Sequence, residues 1–222
     1  MSQTLWTTVD QYFNRQLLED DPVLTAALEA SAAAGLPAIA VAANQGKMLH
    51  LMAKMAGARR ILEVGTLGGY STIWLARALP AGGRLVSLEL DPTHAETARA
   101  NLAHAGLSQV AEVRLGPAAA SLETMAAAGV AAFDFVFIDA DKPSNADYFA
   151  WAIKLSRPGT TIVVDNVVRK GAVAEPGQGD ANVEGVRRLA ALIAAEPRVS
   201  ATAVQTVGDK GYDGFILAVV DG

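Results

Sequence analysis

The chain has 222 residues, 51% of them hydrophobic, which fits one domain with a substantial core and argues against disorder. It has no cysteine, so disulfides, thiolate metal sites and cysteine catalysis are excluded. Lys plus Arg number 18 against 23 Asp plus Glu, a formal charge of −5 with no basic cluster beyond pairs such as Arg59-Arg60, and a nucleic-acid partner is disfavoured.

The N-terminus lacks a basic segment followed by an apolar run, and no apolar stretch reaches bilayer length, so a soluble cytoplasmic protein with no membrane partner is expected. Helical patterns open the chain. The first covers Val9 to Leu18, and Asp21-Pro22 caps a second over Val23 to Ala34. Asn44 is the expected N-cap of a third, Gln45 to Ala56, with Leu49, Met52 and Met55 on its packing face.

At Arg60 the pattern changes. Ile61-Leu62-Glu63-Val64 is a short apolar run that breaks into Gly65-Thr66-Leu67-Gly68-Gly69 and then into a helical pattern from Tyr70 and Ser71. Strand, glycine turn and helix in that order make a ligand-binding edge. The spacing is not the G-x-G-x-x-G of a dinucleotide site, and Glu63 at the strand tip would repel a pyrophosphate while suiting a cationic amine. S-adenosylmethionine (SAM) carries such an amine and no phosphate. Glu89, ending the next apolar run, is placed to accept from both ribose hydroxyls.

From there apolar runs alternate with helices. Strands are expected near 61–65, 84–88, 111–115, 133–138 and 160–164, and helices near 70–79, 92–105, 118–128, 144–155 and 181–195, with Asp91-Pro92 as another cap. Val199 to Val207 and Phe215 to Val220 are separated only by a seven-residue stretch, too short for a crossover helix, so they should pair antiparallel. The expected fold is therefore α/β: a Rossmann-like class I SAM-dependent methyltransferase with a seven-stranded, mostly parallel sheet, an antiparallel C-terminal hairpin and N-terminal helices. One domain spans 1–222, with 1–57 covering the site and 58–222 forming the SAM-binding core.

Two strand ends carry further chemistry. Phe133 to Ile138 runs into Asp139-Ala140-Asp141-Lys142, and Thr161 to Val164 runs into Asp165-Asn166. Parallel strands end at one edge, so Asp139, Asp165 and Asn166 can converge as three oxygen ligands suited to Mg²⁺, or to Ca²⁺ or Mn²⁺.

These motifs, with Asn44-Gln45-Gly46-Lys47, resemble the cation-dependent O-methyltransferases of the caffeoyl-CoA and catechol type, especially bacterial members, over essentially the whole chain. The resemblance implies metal ligation by Asp139, Asp165 and Asn166. It implies SAM contacts at Val41, Glu63, Gly65, Ser71, Glu89, Ala118, Asp139 and Asp141, and a general base at Lys142. It also implies a homodimer and a small vicinal dihydroxy aromatic acceptor. Arg169 and Tyr212 are further candidates for the acceptor pocket, and the segment Arg169 to Asp180 for a lid. His50, His94 and His104 read as surface or packing residues, and Trp74 as core. The other readings are a dinucleotide-dependent oxidoreductase and a non-catalytic nucleotide-binding module.

Overall fold

The computed structural model describes residues 2–221 apart from Pro176 and Gln178. Three helices, α1 (Gln3–Leu17), α2 (Pro22–Ala33) and α3 (Ala43–Met55), precede the sheet. Then come β1 (Arg60–Val64), α4 (Tyr70–Ala76), β2 (Arg84–Glu89), α5 (Pro92–His104), β3 (Ala111–Leu115), α6 (Ala118–Ala127) and β4 (Phe133–Ile138). The chain finishes with α7 (Asn145–Lys154), β5 (Ser156–Asp165), α8 (Ala181–Ala195), β6 (Val199–Gly208) and β7 (Gly211–Val220). The sheet order is β3-β2-β1-β4-β5-β7-β6, parallel from β3 through β5 and antiparallel at β7 and β6.

Alternation along the strands divides the core in two. Ile61, Phe135, Phe137 and Val163 face α2 through α5, while Leu62, Val64, Val136, Ile138 and Val164 face α6, α7 and α8. Phe135 and Phe137 are wholly enclosed, each contributing roughly 1.5–3 kcal/mol of burial.

The Asp-Pro caps form as expected. Asp21 accepts from the amides of Val23 and Leu24, and Asp91 from those of Thr93 and His94. Asn44 is not a cap: α3 starts from Ala42, and the Asn44 side chain accepts only from the Gln45 amide inside the first turn. The inward face of α3 is Gly46, Leu49 and Ala53, leaving Met55 80% exposed, and α1 begins six residues earlier than its apolar pattern suggested. The C-terminal strands are also longer than expected. They pair from Val199↔Val220 to Gly208↔Gly211, so the connection is the two residues Asp209-Lys210. Glycines that read as loop are strand here because Gly214 lies so close to β6 that a Cβ would sit 2.2 Å from the Val204 carbonyl oxygen.

Candidate active site

The chain reverses its direction of sheet growth between β1 and β4, and a crevice opens beyond the strand ends at that point. It is a cavity of about 940 Å³ walled by Val41, the Gly65–Gly68 loop, Ser71, Glu89, Ala118 and the Asp139–Lys142 turn. Gly65, at φ 94°, is required by its neighbours: a Cβ there would meet the Asp139 carbonyl oxygen at 2.2 Å. The glycine thus lets the ends of β1 and β4 touch, in addition to shaping the cavity floor.

Glu63 does not line the cavity. It is fully enclosed beneath the loop, accepting from the hydroxyls of Ser71 (2.7 Å), Thr72 and Ser87 (2.6 Å). Its bond to Ser71 links it to a side chain that does reach the cavity. Burial pushes the Glu63 carboxyl up to about 7 against the pull of three hydroxyl donors. Its folded pKa lies above the ordinary 4.5, so the native state keeps a proton that the unfolded chain releases between about pH 4.5 and 7. The stability this gives is complete below that window and is lost as pH rises through it. Glu63→Gln, neutral at every pH, should gain stability relative to wild type across the window and hold a constant difference above it. Urea unfolding of both proteins from pH 5 to 8 reads this, and a pH-independent difference refutes the neutral carboxyl.

Glu89 has a different surrounding. Its Oε2 accepts from the amides of Thr66 (3.2 Å) and Leu67 (3.0 Å), and its Oε1 from those of Leu90 and Asp91, both at 3.0 Å. The carboxylate clamps the glycine loop to the end of β2. On the other side of the cavity Asp141 accepts from Tyr148 Oη at 2.6 Å and from the Ser144 amide at 3.2 Å.

The register Ile138↔Val164 carries Asp139 and Asp165 to adjacent strand ends. Asp165 is 3% exposed, and its Oδ2 accepts from Gln45 Nε2 at 2.7 Å while Oδ1 accepts from the Asn166 amide at 2.8 Å. Burial, then the nearby Asp139 carboxylate, hold Asp165 well above the ordinary carboxylate range. Lys142, 6% exposed, donates to Asp139 Oδ1 at 2.9 Å. Two converging carboxylates and an amide oxygen form a hard-oxygen donor set, and their mutual repulsion is what a divalent cation would relieve, so these residues fit one. Among the described residues no group of three His, Cys, Asp or Glu side chains could hold an ion.

A second cavity of about 260 Å³ adjoins the first, between α1, α3 and the β6–β7 hairpin. Asp165 faces this smaller space, Asp139 the larger one, and Asn166 both.

A seven-stranded sheet of this order with acids at the β1, β2, β4 and β5 ends has close relatives. The profile of the O-methyltransferase family matches residues 14–218. The chain belongs to the O-methyltransferase family. An O-methyltransferase from Bacillus cereus, solved with S-adenosylhomocysteine (SAH), superposes with a TM-score of 0.97 at 55% identity, covering 99% of this chain and 100% of that one. TomG from Streptomyces achromogenes, involved in tomaymycin synthesis and solved with SAM, gives 0.96 at 52%, covering 100% of both. The catechol O-methyltransferase of Mycobacterium tuberculosis is 52% identical over 212 residues, 96% of this chain and 94% of its own. This O-methyltransferase is accordingly a SAM-dependent enzyme, and neither a dinucleotide oxidoreductase nor a non-catalytic module.

Within the O-methyltransferase the remaining candidates divide. Arg169 lines the larger cavity, held at φ 53° with its amide donating to Asp213 at 3.0 Å. Tyr212 does not sit in a hairpin loop and lines neither cavity. It belongs to β7, where alternation turns Asp213 and Phe215 to the smaller cavity and Tyr212 to the opposite face, beside Gly171 and bonded to Gln205. In the lid candidate Arg169–Asp180, Pro176 and Gln178 lie outside the described residues. Trp74 is core, and His50 bonds the Trp74 carbonyl. His94, read as a surface or packing residue, stands in the cavity wall. Among the described residues no helix is long and apolar enough to cross a membrane.

Proposed function

We propose that this enzyme methylates one hydroxyl of a small vicinal dihydroxy aromatic, using SAM and a divalent cation, Mg²⁺ or alternatively Mn²⁺ or Ca²⁺, at Asp139, Asp165 and Asn166. The observation that carries this reading is that the oxygen trio, with Lys142 hydrogen-bonded to it, stands on the partition between two cavities of unequal size.

The larger cavity takes the methyl donor, with Val41, Gly65, Ser71, Glu89, Ala118 and Asp141 in its wall and Glu63 behind Ser71. The smaller one takes the acceptor ring. Its volume of 260 Å³ is below the range of about 300–1,000 Å³ common for drug-sized ligands and favours a single ring over a large conjugate. The cation, when bound, supplies Lewis-acid stabilisation of a phenolate and a template for two neighbouring oxygens. Lys142, once its ammonium has released a proton to solvent, accepts the phenolic proton at Nζ, which its bond to Asp139 holds at the partition. Gln45 fixes one oxygen of Asp165 and leaves the carboxylate a single orientation. The protein otherwise aligns the acceptor oxygen with the sulfonium methyl, while Arg169, which lines the larger cavity, stands on the donor's side of the partition.

The catechol O-methyltransferase relatives support the acceptor class. A homodimer is part of the same reading, supported by the exposed Leu5, Val9, Tyr12, Phe13 and Leu17 on α1. Transfer of label from SAM to a panel of catechols should fall roughly 100-fold or more when Mg²⁺ is replaced by EDTA and return on adding Mg²⁺ back. Monohydroxy phenols should be poor acceptors throughout. Transfer to catechols that survives EDTA would remove the cation from the mechanism.

A further inference from the structure

We propose that His94 is a second reader of the methyl donor's ribose, acting beside Glu89. The inference rests on the donor occupying the larger cavity.

A vicinal diol offers two O–H donors and needs two acceptors. An ionised carboxylate has about four lone-pair sites, and on Glu89 four backbone amides already use them, two on each oxygen. Those amides belong to the glycine loop and to the turn that opens α5, so the carboxylate is committed to holding the cavity floor together. It retains little capacity to satisfy two hydroxyls alone.

A side chain able to share the task is His94. Its Nδ1 lies 3.6 Å from Glu89 Oε1, beyond a direct hydrogen bond, and both side chains border the same cavity. A hydroxyl oxygen set to one side of this pair, within the cavity, can contact both groups. Placement is enforced locally. Asp91 caps α5 through the amides of Thr93 and His94, Pro92 fixes the first turn, and side chains on a helix lean toward its N-terminus. His94 is thereby tilted back over the end of β2, toward Glu89. An imidazole, unlike the carboxylate, can donate to one ribose hydroxyl or accept from it, so the pair together matches the diol's mixed donor and acceptor character.

The test is calorimetric binding of SAH, 2′-deoxy-SAH and 3′-deoxy-SAH to wild type and to His94→Phe, which keeps an aromatic ring and removes both nitrogens. Wild type should prefer SAH to at least one deoxy analogue. The substitution should weaken SAH by about 3- to 10-fold, the range of one hydrogen bond, and leave the disfavoured analogue unchanged, so that the preference collapses. SAH affinity equal to wild type, or an equal loss for all three ligands, would overturn ribose reading and assign His94 to packing. Failure of wild type to bind SAH at all would overturn the donor reading itself.

Discussion

Lys142→Met is expected to lower kcat by about 10²- to 10⁴-fold, the usual worth of a positioned proton acceptor, while changing SAM affinity far less. Methionine keeps the unbranched apolar stem, so a side chain only 6% exposed loses its nitrogen without opening a large void. A bond at 2.9 Å to Asp139 gives Lys142 a second possible role, as a charge partner that merely holds the carboxylate. Lys142→Arg separates the two. Arginine keeps the positive charge and the ability to pair with Asp139 but cannot release its proton in a protein. If proton acceptance matters, both variants lose turnover. Turnover retained by the arginine variant would leave only the charge role, and turnover retained by both would remove Lys142 from the mechanism.

The strand ends were legible because parallel strands share one edge, which brings Asp139, Asp165, Asn166 and Glu89 together whatever the helices do. Asp21-Pro22 and Asp91-Pro92 were legible for a local reason: a cap acts within three residues. What escaped is decided by partners distant in sequence. Glu63 looks like a strand-tip acid facing a ligand, yet Ser71, Thr72 and Ser87 close over it from α4 and β2. Tyr212 sits among glycines that suggest a loop, and only pairing with β6 makes them strand and turns the ring away from the cavities. His94 carries a signal in hindsight, as the third residue of a capped helix that starts directly after the acid of β2.

Gly185 gave no local signal at all, and its replacement is expected to be among the most damaging single changes outside the cavities. It lies inside α8, where alanine would ordinarily stabilise the helix by about 1 kcal/mol. Here a Cβ would fall 2.1 Å from the Lys142 carbonyl oxygen, 2.5 Å from its carbon and 2.8 Å from Pro143 Cα. These are backbone atoms, so relief requires α8 and the Lys142–Ser144 turn to separate, and that turn sets the reach of Lys142 to Asp139. Overpacking of this kind costs about 1–3 kcal/mol, partly offset by the helix gain, so Tm should fall by only a few degrees. Turnover should fall much further, by about 10-fold or more, because an ångström of misplacement near reacting groups can cost roughly 10². Gly106→Ala is the matching control: at φ 70° with open space around the added methyl, it introduces backbone strain away from both cavities. A loss of turnover in Gly185→Ala no larger than in Gly106→Ala would mean that α8 supports stability alone, while a selective loss would assign it the task of holding Lys142 against the oxygen trio.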